Sequence, residues 1–140
     1  MNPKYPTHPH VGVGAVVFND NRVLLVRRGR PPGKGLWAIP GGRVQLGETL
    51  KEAAEREVFE ETAIVIRAGA PVFTFDLIDR DENGRIRYHY VVIDLAAEFV
   101  GGTPKAGDDA LEARWISRDE IKTLEVNAMT QRLLSEKFKF

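Results

Sequence analysis

The stretch GRVQLGETLKEAAEREVFEETAI, residues 42–64, constrains the fold of this 140-residue chain more than any other. It reads as one helix with three carboxylates, Glu57, Glu60 and Glu61, on one side. Spacings of three and four residues make them neighbours on consecutive turns. Counting from Leu50, the apolar stripe passes through Ala53 and Ala54 and reaches positions 57 and 61, which are Glu57 and Glu61. Two carboxylates are thus aimed along the face that packs on the core. Half-buried like charges repel and are costly to desolvate unless something compensates them. A hard divalent cation such as Mg²⁺ would do so, because it takes oxygen ligands and carries the opposite charge.

Local signals bound this helix. Thr49-x-x-Glu52 is a capping box, in which the threonine hydroxyl takes the N3 amide and the glutamate reaches back. Glu52–Arg56 and Arg56–Glu60 are i,i+4 pairs along it. The helix should stop near Thr62–Ala63. A left-handed residue is common there and is usually glycine; alanine in that conformation costs about 1 kcal/mol.

The rest of the chain reads as strands with short helices. Residues 1–10 are Pro-rich and form an extended lead-in. Val11–Phe18 and Val23–Arg28 are strands around an Asn19-Asp20-Asn21 turn, and Gly29–Gly35 is a loop. A short strand at Ile64–Arg67 is followed by Val72–Arg80 and Arg85–Phe99, paired through the hairpin signal Asn83-Gly84. After a loop over Gly101–Asp109 come a strand at Leu111–Ile116 and a second capping box, Ser117-x-x-Glu120. A last helix is capped by Asn127, with Met129, Leu133, Leu134 and Phe138 as its apolar face. These elements predict one α/β domain over residues 1–140, with a mixed sheet and helices on both faces.

Composition removes several functions. Twenty basic and twenty acidic residues give zero net charge, which argues against a nonspecific nucleic-acid or membrane-surface binder. There is no cysteine, so disulfides, thiol catalysis and zinc–thiolate sites are excluded. The first ten residues lack the apolar run of a signal peptide, and no run reaches the ~20 residues of a membrane helix. A cytoplasmic protein is the expectation.

Gly42, Glu48, Arg56, Glu57, Val58, Glu60, Glu61 and Ile64 resemble the Nudix box, Gly-x5-Glu-x7-Arg-Glu-U-x-Glu-Glu-x-Gly-U, where U is a bulky aliphatic residue. Ala63 departs from the second glycine of that pattern. The box covers about a sixth of the chain, and the Leu36–Gly42 approach also looks like this MutT-like family. The resemblance implies an α/β/α sandwich and a hydrolase of phosphoric anhydrides that uses Mg²⁺, with Mn²⁺ as a substitute. It implies Glu57, Glu60 and Glu61 as metal ligands and catalytic carboxylates, with the Gly42 carbonyl as a further metal contact. Arg56 would orient the glutamates, and Glu48 would support the loop rather than the chemistry. Which carboxylate acts as base stays open, since in this family it sometimes comes from a downstream loop. Asp108, Asp109 and Glu112 stand where such a residue would be.

Upstream of the box, alternation along a strand sends Arg27 and Arg28 to opposite faces, so one of the two would meet a substrate phosphate. Trp37, Trp115, Phe75, Tyr88 and Tyr90 read as packing residues. His8, His10 and His89 form no site. Within the family, the residues before the box and Tyr88-His89-Tyr90 resemble ADP-ribose pyrophosphatase-like members. The expected partner is a small nucleotide, a nucleoside diphosphate linked to another moiety, and a homodimer is compatible with the chain's size. A nucleoside triphosphate house-cleaning enzyme is the alternative, favoured by the shortness of the chain. A non-catalytic ligand-binding module and an RNA-cap hydrolase fit less well: the box keeps its acidic positions, and the charge is balanced.

Overall fold

A computed structural model of the chain describes residues 4–140; the first three residues of the predicted lead-in lie outside the described residues. The remainder of that lead-in is fastened at Tyr5, whose N–H donates to the Arg87 carbonyl at 2.9 Å and whose hydroxyl donates to Asp81 at 2.9 Å. The two predicted N-terminal strands are β1 (His10–Asn19) and β2 (Arg22–Arg28). Asp20 and Asn21 between them take φ of 51° and 60°, the mirror-image turn whose twist suits a two-residue hairpin.

The Leu36–Gly42 approach carries no strand signal in the sequence, yet it contributes β3 (Trp37–Ala38) and β4 (Gly41–Arg43). The helix α1 (Leu50–Thr62) follows, then β5 (Val65–Arg80), β6 (Ile86–Gly101), β7 (Ala110–Ser117), α2 (Arg118–Ile121) and α3 (Ala128–Phe138). Two strands expected on either side of residue 70 are one, β5. Its register against β6 shifts on both sides of Pro71, because proline has no N–H for the ladder, and the strand bulges past it rather than ending. The second capping box is half formed. Ser117 accepts from the Glu120 amide, but the Glu120 carboxylate turns to Arg114 at 2.7 Å.

The sheet order is β3-β2-β1-β6-β5, with β4 also on β1 and β7 also on β2. The β1–β2 hairpin pairs at its closed end, Phe18↔Val23 and Asn19↔Arg22. Further along, β1 pairs with β4 through Val13↔Gly42 and Gly14↔Gly41 and lies parallel to β6 from His10↔Tyr90 to Phe18↔Glu98. The sheet is mixed, as expected. Strand alternation then separates two cores. Val13, Ala15, Val17 and Leu24 pack with Ala53, Ala54 and Val58 of α1. Val16, Val23 and Leu25 pack on the other face with Trp37 and with Leu133 and Leu134 of α3. The result is an α/β/α sandwich in which β1 is buried on both faces. No helix among the described residues is long and apolar enough to cross a membrane.

Candidate active site

The site is built where α1 leans on β4. Both halves of the capping box at Thr49 and Glu52 are present, at 3.1 and 2.9 Å, so the first turn starts where the sequence predicts. The buried stripe of α1 differs slightly from the predicted one. It runs Ala53, Ala54, Val58, Thr62, since four residues advance a helix by little more than one turn. Glu57 and Glu61 each sit one residue earlier, on the border of the stripe, and face the glycines of β4. The Gly41 amide donates to Glu61 Oε1 at 2.8 Å. A β-carbon built on Gly42 would lie 2.3 Å from the Glu57 carboxylate, so glycine is required there to let helix and strand approach.

Arg56 organises the remaining charges with every N–H of its guanidinium. Nε and Nη2 form a fork on Glu48, at 2.6 and 2.9 Å. Nη2 also donates to the Arg43 carbonyl at 3.1 Å, and Nη1 donates to Glu57 Oε1 and Glu60 Oε1, both at 2.8 Å. One cation therefore ties the loop before α1, strand β4 and two glutamates together. The fork from Arg56, with the Gln45 amide, holds the Glu48 carboxyl down at about 2. Glu57 behaves oppositely: burial raises its proton affinity, and Arg56 only partly offsets it. Burial pushes Glu61 up to about 8, against the Gly41 hydrogen bond, and the charges of Glu57 and Asp108 push it in the same upward direction.

The C-terminus of α1 fastens a loop over these carboxylates. Ala63 takes the left-handed conformation, φ 62°, with its N–H on the Phe59 carbonyl; the turn is not remodelled to avoid the alanine. The carbonyls of Glu61 and Thr62 accept from the amides of Gly107 and Lys105, both at 2.9 Å. This closes helix carbonyls that would otherwise lack partners and brings Asp108 to the site.

Two adjoining cavities result, each of about 150 Å³. The polar one contains Glu57, Glu61 and Asp108 together with Arg28, Gly42 and Arg43. The other is largely apolar and runs between β1, β6 and β5, with Phe75, Leu77, Tyr90 and Val92 among its walls and Asp94 and Thr130 as polar members. Arg28, Gly41, Gly42 and Arg43 line both.

Alternation sorts the two arginines of β2 as the sequence predicts. Arg28 lines both cavities, its Nε held by the Pro32 carbonyl at 2.8 Å. Arg27 points away, hydrogen-bonded to the Gly35 carbonyl and 3.7 Å from Glu112. Glu112 therefore stays outside both cavities, between Arg27 and Arg114. Glu60 is 44% exposed on Arg56 and does not line the polar cavity. Asp109 lines it, paired with Arg30 at 2.8 Å. Trp37 and Tyr88 are buried as predicted, whereas Phe75 and Tyr90, read as packing residues, also wall the apolar cavity. Arg43, Asp94 and Thr130 were not singled out by motif or spacing. Arg43 directly follows the paired glycines, and Asp94 is a charged residue inside an apolar strand; that interruption was the one available signal.

The donor set suits a hard divalent cation. All candidate ligands are oxygens, Gly42 lets the Glu57 carboxylate approach its backbone closely, and Glu61 is a buried acid whose protein partner is a backbone amide. Among the described residues, no three acidic or histidine side chains form a ready-made cage. An ion there would complete its coordination with backbone, water and substrate oxygens, the usual habit of Mg²⁺.

The NUDIX domain profile matches residues 8–137. The ADP-ribose pyrophosphatase of Methanocaldococcus jannaschii is 38% identical over 117 residues, 84% of this chain and 67% of that protein. A MutT NUDIX hydrolase from Burkholderia pseudomallei superposes with a TM-score of 0.79 at 31% identity, over 94% of this chain and 98% of the other. A bifunctional NMN adenylyltransferase/ADP ribose pyrophosphatase from Francisella tularensis, solved with AMP and a manganese ion, gives 0.71 at 30% identity; it covers 99% of this chain and 42% of that longer one. With Gly42, Glu57 and Glu61 of the box lining one cavity and these likenesses spanning nearly its whole length, the chain belongs to the Nudix hydrolase family.

Proposed function

We infer that the chain is a Mg²⁺-dependent pyrophosphohydrolase acting on a nucleoside diphosphate linked to another moiety, with ADP-ribose as the favoured substrate. One observation carries this reading. The carboxylate cavity and an aromatic-walled cavity meet at Arg28, Gly41, Gly42 and Arg43, so a diphosphate can lie at the acids while its nucleoside enters the apolar side. The names of the similar proteins from M. jannaschii and F. tularensis point to the same substrate.

Glu57, Glu61 and the Gly42 carbonyl would hold the ion, while Glu60 stays outside the polar cavity on Arg56. The bound ion would neutralise phosphate charge and make a water more acidic. The protein's own groups do the rest. Arg56 keeps Glu57 aligned and Glu60 nearby. The two Nη groups of Arg28, which have no partner among the described residues, and the side chain of Arg43 face the anhydride oxygens. Water oxygen bonds to one phosphorus while the bridging P–O bond breaks, and its electron pair leaves with the second phosphate. The proton released goes to one of the acids lining the cavity, Glu57, Glu61 or Asp108.

Product analysis tests the reading. With Mg²⁺, ADP-ribose should yield AMP and ribose 5-phosphate, and EDTA should abolish turnover. Preferential release of pyrophosphate from nucleoside triphosphates would move the assignment to the house-cleaning alternative. Binding of ADP-ribose with no turnover would identify a ligand-binding module.

A further inference from the structure

Asp94 is an acid beside the site that the chemistry above does not use. It sits in the middle of β6 and is 4% exposed. Its register partner on β1 is Gly14, and a β-carbon on Gly14 would lie 2.5 Å from Asp94 Oδ1. The carboxyl group thus occupies the place of a missing side chain, and both residues line the apolar cavity. Asp94 has no hydrogen bond or ion pair among the described residues. Among the described residues no fully buried side-chain nitrogen or oxygen lacks a partner, so the Asp94 oxygens open onto the cavity, where water or a ligand supplies their hydrogen bonds.

The chemistry of the cavity narrows that ligand. Phe75 and Tyr90 suit a flat ring, and an apolar cavity of about 150 Å³ is large enough to accept an aromatic ring. Burial pushes the Asp94 carboxyl up to about 7, so its neutral form is substantially populated near neutrality. A neutral acid presents an O–H donor beside a C=O acceptor. Adenine offers the complement, a ring-nitrogen acceptor beside the amino donor, whereas the hydrogen-bonding edge of guanine that carries its amino group offers two donors and suits an ionised carboxylate.

We propose that Asp94 reads the base of the substrate, pairing with the amino group and adjacent ring nitrogen of an adenine placed against Phe75 and Tyr90, and so selects adenine over guanine nucleotides. This rests on the reading of the substrate as a nucleotide. It assigns to Asp94 a specificity role, separate from the carboxylates that would hold the ion.

Calorimetric titration with AMP and with GMP tests it without requiring turnover. At pH 6, where the neutral acid predominates, the wild-type protein should bind AMP at least about 10-fold more tightly than GMP. Asp94→Leu, which removes both hydrogen-bonding atoms, should weaken AMP roughly 10- to 100-fold and erase the preference. Asp94→Asn keeps a donor beside an acceptor and should restore AMP binding. Equal affinity of the wild type for AMP and GMP would overturn the proposal, and so would unchanged AMP affinity in a folded Asp94→Leu protein. Loss of AMP binding in Asp94→Asn would overturn the neutral-acid pairing even if the leucine variant fails to fold. The hydrolase reading is tested separately. The expected AMP pattern without ADP-ribose turnover would remove the hydrolase assignment and leave the base contact standing. Turnover with the same KM in wild type and Asp94→Leu would remove the base contact alone.

Discussion

Gly42 and Glu57 share one space: the carboxylate of the helix residue fills the volume where a side chain on the strand residue would stand, 2.3 Å from the β-carbon position. The relationship couples β4 to α1 at the point where the charge is concentrated. Gly42→Ala should displace Glu57 and lower kcat by at least about 10-fold, since misplacing a reacting group by an ångström costs on that order or more. The far-ultraviolet dichroism of the folded protein should be unchanged. Full activity in Gly42→Ala would show that the Glu57 position is not critical.

Arg56 supports a prediction about the glutamates that it orients. Lysine in its place cannot make a fork and a second pair of hydrogen bonds at once. Arg56→Lys should therefore lower activity about 10- to 100-fold, the range seen when a group that orients metal ligands is lost, and weaken Mn²⁺ binding measured by electron paramagnetic resonance. Unaltered Mn²⁺ affinity would confine Arg56 to a structural role.

The two arginines of β2 give an internal control. Arg28→Ala should raise KM for ADP-ribose by roughly 10-fold, the loss of a charge-assisted hydrogen bond to phosphate. Arg27→Ala removes an exposed pair with Glu112, both side chains being over 40% exposed, and should change kcat/KM by less than about 2-fold. Equal effects of the two substitutions would contradict their placement on opposite faces.

Stability should depend on pH in an unusual direction. Glu61 is held at about 8 and Asp94 at about 7, above their ordinary values of 4.5 and 3.8. Between these limits the folded protein keeps protons that the unfolded chain releases. Stability in the presence of chelator should then fall as pH rises from about 5 to about 8, by at most about 1.4 kcal/mol per pH unit for each group. Glu61→Gln should flatten that slope in urea titrations across the range. A wild-type stability that rises over the same window would refute the burial of these acids.

Ala63 offers a stabilising change. Its left-handed φ of 62° costs an alanine about 1 kcal/mol relative to an achiral residue. Ala63→Gly should raise the thermal midpoint by a few degrees, with the gain reduced by the greater freedom of glycine in the unfolded chain. A lower midpoint would show that the loop from Gly101 to Asp109 depends on the alanine methyl.

What the sequence made legible follows the range of the interactions involved. Thr49 and Glu52, the Asp20-Asn21 turn and Asn127 are local signals, and each appears as predicted. The acids of α1 were visible because they interrupt a helical period. The strands at Trp37–Ala38 and Gly41–Arg43 were not, because two- and three-residue strands have no period and exist only through partners on β1 and β2. The break read between Arg67 and Val72 is bridged by the ladder to β6, which continues past Pro71. The apolar cavity and Asp94 were hidden for a related reason. They depend on a parallel pairing of β1 with β6, between residues some 80 positions apart, and no local pattern encodes that pairing.

The most direct test of the central claim is ADP-ribose hydrolysis as a function of Mg²⁺ concentration in the wild type and in a Glu57→Gln/Glu61→Gln double variant. The substitutions keep volume and remove charge. The account predicts saturable, EDTA-sensitive turnover in the wild type and a loss of at least about 100-fold in a double variant that remains folded. Turnover in the double variant equal to that of the wild type, at the same Mg²⁺ requirement, would contradict it.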